Sequence, residues 1–72
     1  MNEIIAHLAE NLKYYRAKRG LSQRELAKLA GVNRPHLTSI ESGAVDNTSL
    51  KTVEKLATAL GVNALDLLNP LE

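Results

Sequence analysis

The sequence predicts an all-α fold of five helices in one compact domain, and three observations carry that prediction. Apolar residues recur three or four positions apart, as at Ile5, Leu8, Leu12 and Tyr15, and that spacing lines one face of a helix. Capping residues and glycines punctuate the pattern at short intervals, Ser22 and Asn33 at starts, Gly31 and Gly61 at ends. No segment alternates with the period of a strand, and no repeat or low-complexity stretch intervenes.

The elements follow in order. A first helix over about residues 2–18 is closed by Gly20, with Leu21 tucking in behind it. A second, over about 22–30, opens on Ser22, and Glu25 three residues on completes a capping box. Its Leu26, Ala27 and Ala30 share one face. Gly31 then takes a positive φ and reverses the chain, Val32 fills the turn, and Asn33 caps a third helix to about residue 42. There Leu37 and Ile40 point inward while Arg34, Pro35, Thr38 and Ser39 stay outside. After a loop from Gly43 to Thr48, Thr48 or Ser49 caps a fourth helix over about 49–60, burying Leu50, Val53, Leu56, Ala57 and Leu60. A last helix over about 64–69 is capped by Asn63 with Asp66 and stopped by Pro70.

At 72 residues the chain is one small domain, 1–72, of a size that buries only about 60% of its unfolded surface. It has no cysteine, so neither a disulfide nor a thiolate metal site is available. No apolar run approaches a membrane span and no signal-peptide pattern opens the chain, so the expected location is cytoplasmic. The net charge of +1 hides an asymmetry. Residues 1–36 hold seven Lys and Arg against three Glu, whereas residues 37–72 hold two Lys against five acids. The basic half is the one containing helices two and three, as a phosphate-binding face requires.

Two short helices joined at a tight turn, the second with a small, polar and basic outer face, outline a DNA-reading helix-turn-helix. The alternative is a helical hairpin whose polar face is merely solvated. Further residues carry a resemblance: Arg16…Gly20-Leu21-Ser22-Gln23, Glu25-Leu26-Ala27, Gly31-Val32, Ile40-Glu41-Ser42-Gly43 and Leu56-Ala57…Leu60-Gly61-Val62…Leu67-Leu68. Together and in this order, over about residues 8–68, they make the chain similar to the lambda-repressor and Cro family, also called XRE-type regulators. The resemblance implies a compact five-helix lambda-repressor-like fold, operator binding in the major groove of double-stranded DNA and, usually, a two-fold homodimer.

The resemblance also assigns roles. Gln23 matches the position that braces the recognition helix and touches phosphate or an outer base, and the amides beside Ser22 can hold a phosphate at the start of helix two. Arg16 and Glu41 match a salt bridge between helices one and three that orients the recognition helix. Arg34 has the fork to pair with guanine O6 and N7, with a phosphate clamp as the alternative. Pro35 suits a first helical turn and can meet a thymine methyl. Thr38 and Ser39 match groove-facing positions, and Asn33, Ser42 and Asn47 complete the expected DNA-binding set.

Two departures from the family stand out. The loop Ala44–Thr48 carries Asp46 and no base, leaving phosphate to Asn47 and the amides near Gly43. Leu65 is apolar where the family commonly has a polar residue; with Val45, Ala64, Leu68 and Leu71 it forms the expected dimer surface.

His7, expected in solvent, and His36 lie on different helices without a carboxylate motif, so no metal site, no cofactor and no nucleophile constellation is expected. The expected function is therefore a sequence-specific transcriptional regulator, repressor-like and not an enzyme. The rival is a protein-interaction module on the same fold, such as the partner-binding half of a toxin–antitoxin pair.

Overall fold

Three of the helices begin where a short polar side chain stands in for missing first-turn partners. Ser22, Asn33 and Ser49 take extended backbone, and their side chains accept from the amides of Glu25, His36 and Thr52. The computed structural model describes residues 3–45 and 48–71. Within them lie α1 (Glu3–Lys18), α2 (Gln23–Ala30), α3 (Arg34–Ser42), α4 (Leu50–Leu60) and α5 (Ala64–Leu68). Three helices thus start one residue later than the sequence reading has them, because the cap itself is not helical. The last stops at Leu68, since Asn69 ahead of Pro70 is extended. Gly31, with φ of 71°, forms the left-handed turn that sends α3 back across α2.

Helix α1 packs against α3 and α5, α2 against α3 and α4, and α4 against α5. The shared core is aliphatic: Leu8, Leu12, Leu26, Leu37, Ile40, Leu56, Leu60 and Leu67 are fully buried. Each such side chain contributes about 1.5–3 kcal/mol of burial free energy, so packing carries most of the stability. Tyr15, Leu21, Val32 and Val45 seal its edges. The Arg19 guanidinium lies against Gly61, where a Cβ would collide with it, so the end of α1 closes over the C-terminus of α4.

Two expectations need correction. Leu50 is not buried but 63% exposed: it opens α4 and projects past the face that Val53, Leu56 and Leu60 press into the core. His7 is half-buried rather than solvated, being one helical turn before buried Asn11 on the same flank of α1.

Asn11 is the polar residue that the apolar pattern conceals. Only 1% exposed, it points its Nδ2 at the carbonyls of Leu67 (2.7 Å), Asn69 (2.6 Å) and Asp66 (3.1 Å). It therefore ties the middle of α1 to the end of α5, where helical carbonyls lack intrahelical partners. Its Oδ1 is buried without a protein partner.

Candidate nucleic-acid interface

Helix α3 presents two chemically distinct sides. At about 100° per residue, Arg34, Pro35, Thr38, Ser39 and Ser42 fall within an arc of about 140°. Leu37, Ile40 and Glu41 occupy the opposite, buried side. Arg34, Pro35, Thr38 and Ser42 are exposed and Ser39 is half-buried. This outward arc bears one cation, no acid and no large aliphatic side chain, so it can approach an anionic, hydrogen-bonding surface closely.

A polar network fixes the tilt of that arc. Glu41 is only 3% exposed although charged. Arg16 grips it through both branches of the guanidinium, Nε to Oε2 and Nη2 to Oε1, each at 2.9 Å. The third Arg16 branch donates to the Leu21 carbonyl at 3.0 Å, so all three of its nitrogens are engaged inside the protein. Gln23, the first residue of α2, adds a donation from Nε2 to Glu41 Oε1 at 3.0 Å and accepts from the Thr38 hydroxyl at 2.8 Å. Helices α1, α2 and α3 are thus locked around one carboxylate, with bidentate geometry that resists rotation.

The other expected DNA-binding residues divide by what already occupies them. Asn33 Oδ1 caps the His36 amide at 2.8 Å, and the Ser42 hydroxyl donates back to the Ser39 carbonyl at 3.0 Å. At the start of α2, Ser22 Oγ accepts from the Glu25 amide and Glu25 Oε1 accepts from the Ser22 amide. The Ser22 amide, and secondarily its hydroxyl, hold the Glu25 carboxyl below the ordinary carboxylate range. This narrows the expected phosphate seat, because the acid already serves that N-terminus and leaves the Gln23 and Arg24 amides as its outward donors. Asn47 and Asp46 lie outside the described residues.

The expected dimer surface is partly internal. Val45, Ala64 and Leu68 lean against the core, whereas Leu65 is 67% and Leu71 40% exposed. Sequence periodicity did not flag Ile4, Leu29 or Leu50, all more than half exposed. The open groove between α2 and α4, lined by Leu29, Lys51, Glu54, Lys55 and Thr58 among others, includes no residue of α3.

With this geometry in view, the relatives of the chain become informative. A helix-turn-helix family model matches residues 12–67. A hypothetical transcription factor of Neisseria meningitidis is 40% identical over 94% of this chain and 63% of its own length. An uncharacterised helix-turn-helix-type transcriptional regulator of Methanocaldococcus jannaschii is 43% identical over 83% of this chain and 89% of its own. The SinR regulators of Bacillus licheniformis and Bacillus subtilis are 39% and 37% identical, each over 86% of this chain. The chain spans 56% of either SinR.

Among solved structures, SinR in complex with DNA superposes with a TM-score of 0.83 at 37% identity, over 86% of this chain and 98% of that one. A complex of SinR with SinI gives the same score and identity, over 86% of this chain and 60% of that one. The chain belongs to the XRE-type helix-turn-helix family.

Proposed function

We propose that this chain is a sequence-specific DNA-binding regulator of transcription that lays α3 in the major groove. The observation that carries this reading is the outward arc of Arg34, Pro35, Thr38, Ser39 and Ser42, held at a fixed tilt by the Arg16–Glu41–Gln23 network. In this reading Arg34 pairs with a guanine, Gln23 and the neighbouring amides of α2 touch phosphate, and Asn33 and Asn47 complete the set of DNA-binding residues. Residues 1–72 act as one domain in the cytoplasm, on the nucleoid, and among the described residues no helix is long and apolar enough to cross a membrane.

One recognition helix reads only a few base pairs, so we further propose a homodimer on a near-palindromic, repressor-type operator. Its recognition helices would then lie about 34 Å apart, one turn of DNA. Leu65 and Leu71, backed by Val45, Ala64 and Leu68, form the joining surface.

Selection from random duplexes tests the reading. An enriched site with two-fold symmetry is expected. Arg34→Ala should relax one base pair in each half-site, while Lys28→Ala weakens all sequences alike and flattens the salt dependence. No enrichment above bulk duplex defeats the DNA reading. Leu65→Glu should stay folded yet lose operator binding, and unchanged affinity and stoichiometry would remove this surface from the interface. The exposed Leu65 and Leu71, with the SinI complex of the similar SinR, favour a second reading in which the same surface receives a protein partner.

A further inference from the structure

Resting on the DNA reading above, we infer that Thr38 reads an exocyclic amino group, adenine N6 or cytosine N4, because the hydrogen-bond network anchored on buried Glu41 fixes its hydroxyl as an acceptor toward the groove. The Glu41 carboxylate is held by Arg16 Nε and Nη2 and can only accept hydrogen bonds. The Gln23 amide lies 3.0 Å from the same Oε1, so the end facing Glu41 must be its NH₂. Turning the amide over would set carbonyl lone pairs against a carboxylate. Gln23 Oε1 consequently faces Thr38, 2.8 Å from Oγ1. An amide oxygen has no proton to give, so Thr38 must donate.

A threonine hydroxyl has one proton and two lone pairs. In a helix that proton usually goes to the carbonyl one turn back; here it is committed to Gln23 in the neighbouring helix. What remains on the exposed side of Thr38 is acceptor capacity alone. In the major groove the purines differ at one place, adenine N6–H₂ against guanine O6, and the pyrimidines at another, cytosine N4–H₂ against thymine O4. An acceptor-only hydroxyl bonds the amino member of either pair and sets lone pair against lone pair with the keto member. The direction of a hydrogen bond at Arg16 and Glu41, inside the protein, is thus transmitted through Gln23 to a choice of base outside it.

The experiment uses the full chain and duplexes from the random-pool selection, with folding checked by circular dichroism. One base pair is expected whose preference Thr38→Val abolishes and Thr38→Ser keeps. At that pair the unmodified chain should favour A over G, or C over T, by about threefold to tenfold, the range of one hydrogen bond. Replacing that adenine by purine, or that cytosine by its analogue lacking the 4-amino group, should remove the advantage for the unmodified chain and leave Thr38→Val unaffected. Gln23→Ala frees the hydroxyl to rotate. It should therefore collapse this discrimination toward unity while the preference set by Arg34 at its own pair persists, since the bidentate Arg16–Glu41 pair still holds α3; uniform loss of a phosphate contact would leave both preferences in place.

A keto base favoured at the Thr38-dependent pair overturns the inference. So does a thymine preference that Thr38→Val retains, the signature of methyl contact, or an amino preference that survives Gln23→Ala. Thr38→Val without effect at any pair overturns it while leaving the DNA reading intact; a pool in which the unmodified chain enriches nothing overturns both.

Discussion

Two polar side chains buried almost equally deeply hold two different helices, and they do so by opposite means. Glu41 joins α3 to α1 and α2 through a charged pair in which both carboxylate oxygens are engaged, with Gln23 as an additional donor. Asn11 joins α1 to α5 through a neutral amide whose donors are used and whose Oδ1 is left without a protein partner. The difference fits the role proposed for each helix. Bidentate charge pairing restricts rotation as well as distance, which suits a helix proposed to meet a groove at a set angle. An amide clasping carbonyl ends closes the last turn of α5 and leaves its outer face, Leu65 included, unconstrained.

The largest expected effects test whether the shared core outweighs both fastenings. Leu37→Ala beneath α3 should cost about 3–5 kcal/mol, whereas Leu67→Ala beneath α5 should fall near 2–3 kcal/mol, because a five-residue helix can settle into the space. Denaturant titration measures both, and an equal or reversed order would contradict a looser attachment for α5. Arg16→Met comes next, at about 3 kcal/mol, since it strands the Glu41 carboxylate with only Gln23 while Arg16 itself is partly exposed. The variant should also lose sequence preference under conditions where it remains helical by circular dichroism.

Asn11→Ala should cost about 2 kcal/mol by leaving the α5 carbonyls unsatisfied. Hydrogen exchange should then rise first in α5, and uniform acceleration across all helices would instead make Asn11 a general core residue. The smallest effect concerns Glu25. Its pKa is lowered by folding, so it stabilises the protein above its ordinary range near 4.5 and loses that contribution as pH falls through the lower folded value. Melting temperature should consequently fall less on acidification in Glu25→Gln than in the unmodified chain. Identical acid profiles would show that the Glu25 carboxylate charge adds nothing to the capping box in solution.

Much of this fold is legible in the sequence, and for local reasons. Capping chemistry acts within three residues, so Ser22 with Glu25 announced the start of α2, and Asn33 the start of α3, from spacing alone. The inward pair Leu37 and Ile40 and the outward arc opposite them follow from helical periodicity. Periodicity fails at helix ends, where a residue can lie on the apolar face and still have nothing beneath it. Leu50 is such a residue, and no pattern in its neighbours distinguishes it from Val53. Val45, Ala64 and Leu68 fail in the opposite sense: they read as a free surface yet lean on the core once α5 is docked.

The sequence by itself thus determined the five helices, the caps of α2 and α3, the turn between them, and which side of α3 is polar, because each depends on residues a few positions apart. Tertiary structure alone decided the partners of Asn11 and of Gln23. Asn11 meets carbonyls more than fifty positions away, and Gln23 reaches fifteen positions to Thr38 and eighteen to Glu41. A hydrogen bond has a direction as well as two ends, and that direction depends on every neighbour sharing the same donors and acceptors. Only the folded arrangement brings Arg16, Glu41, Gln23 and Thr38 into one such chain.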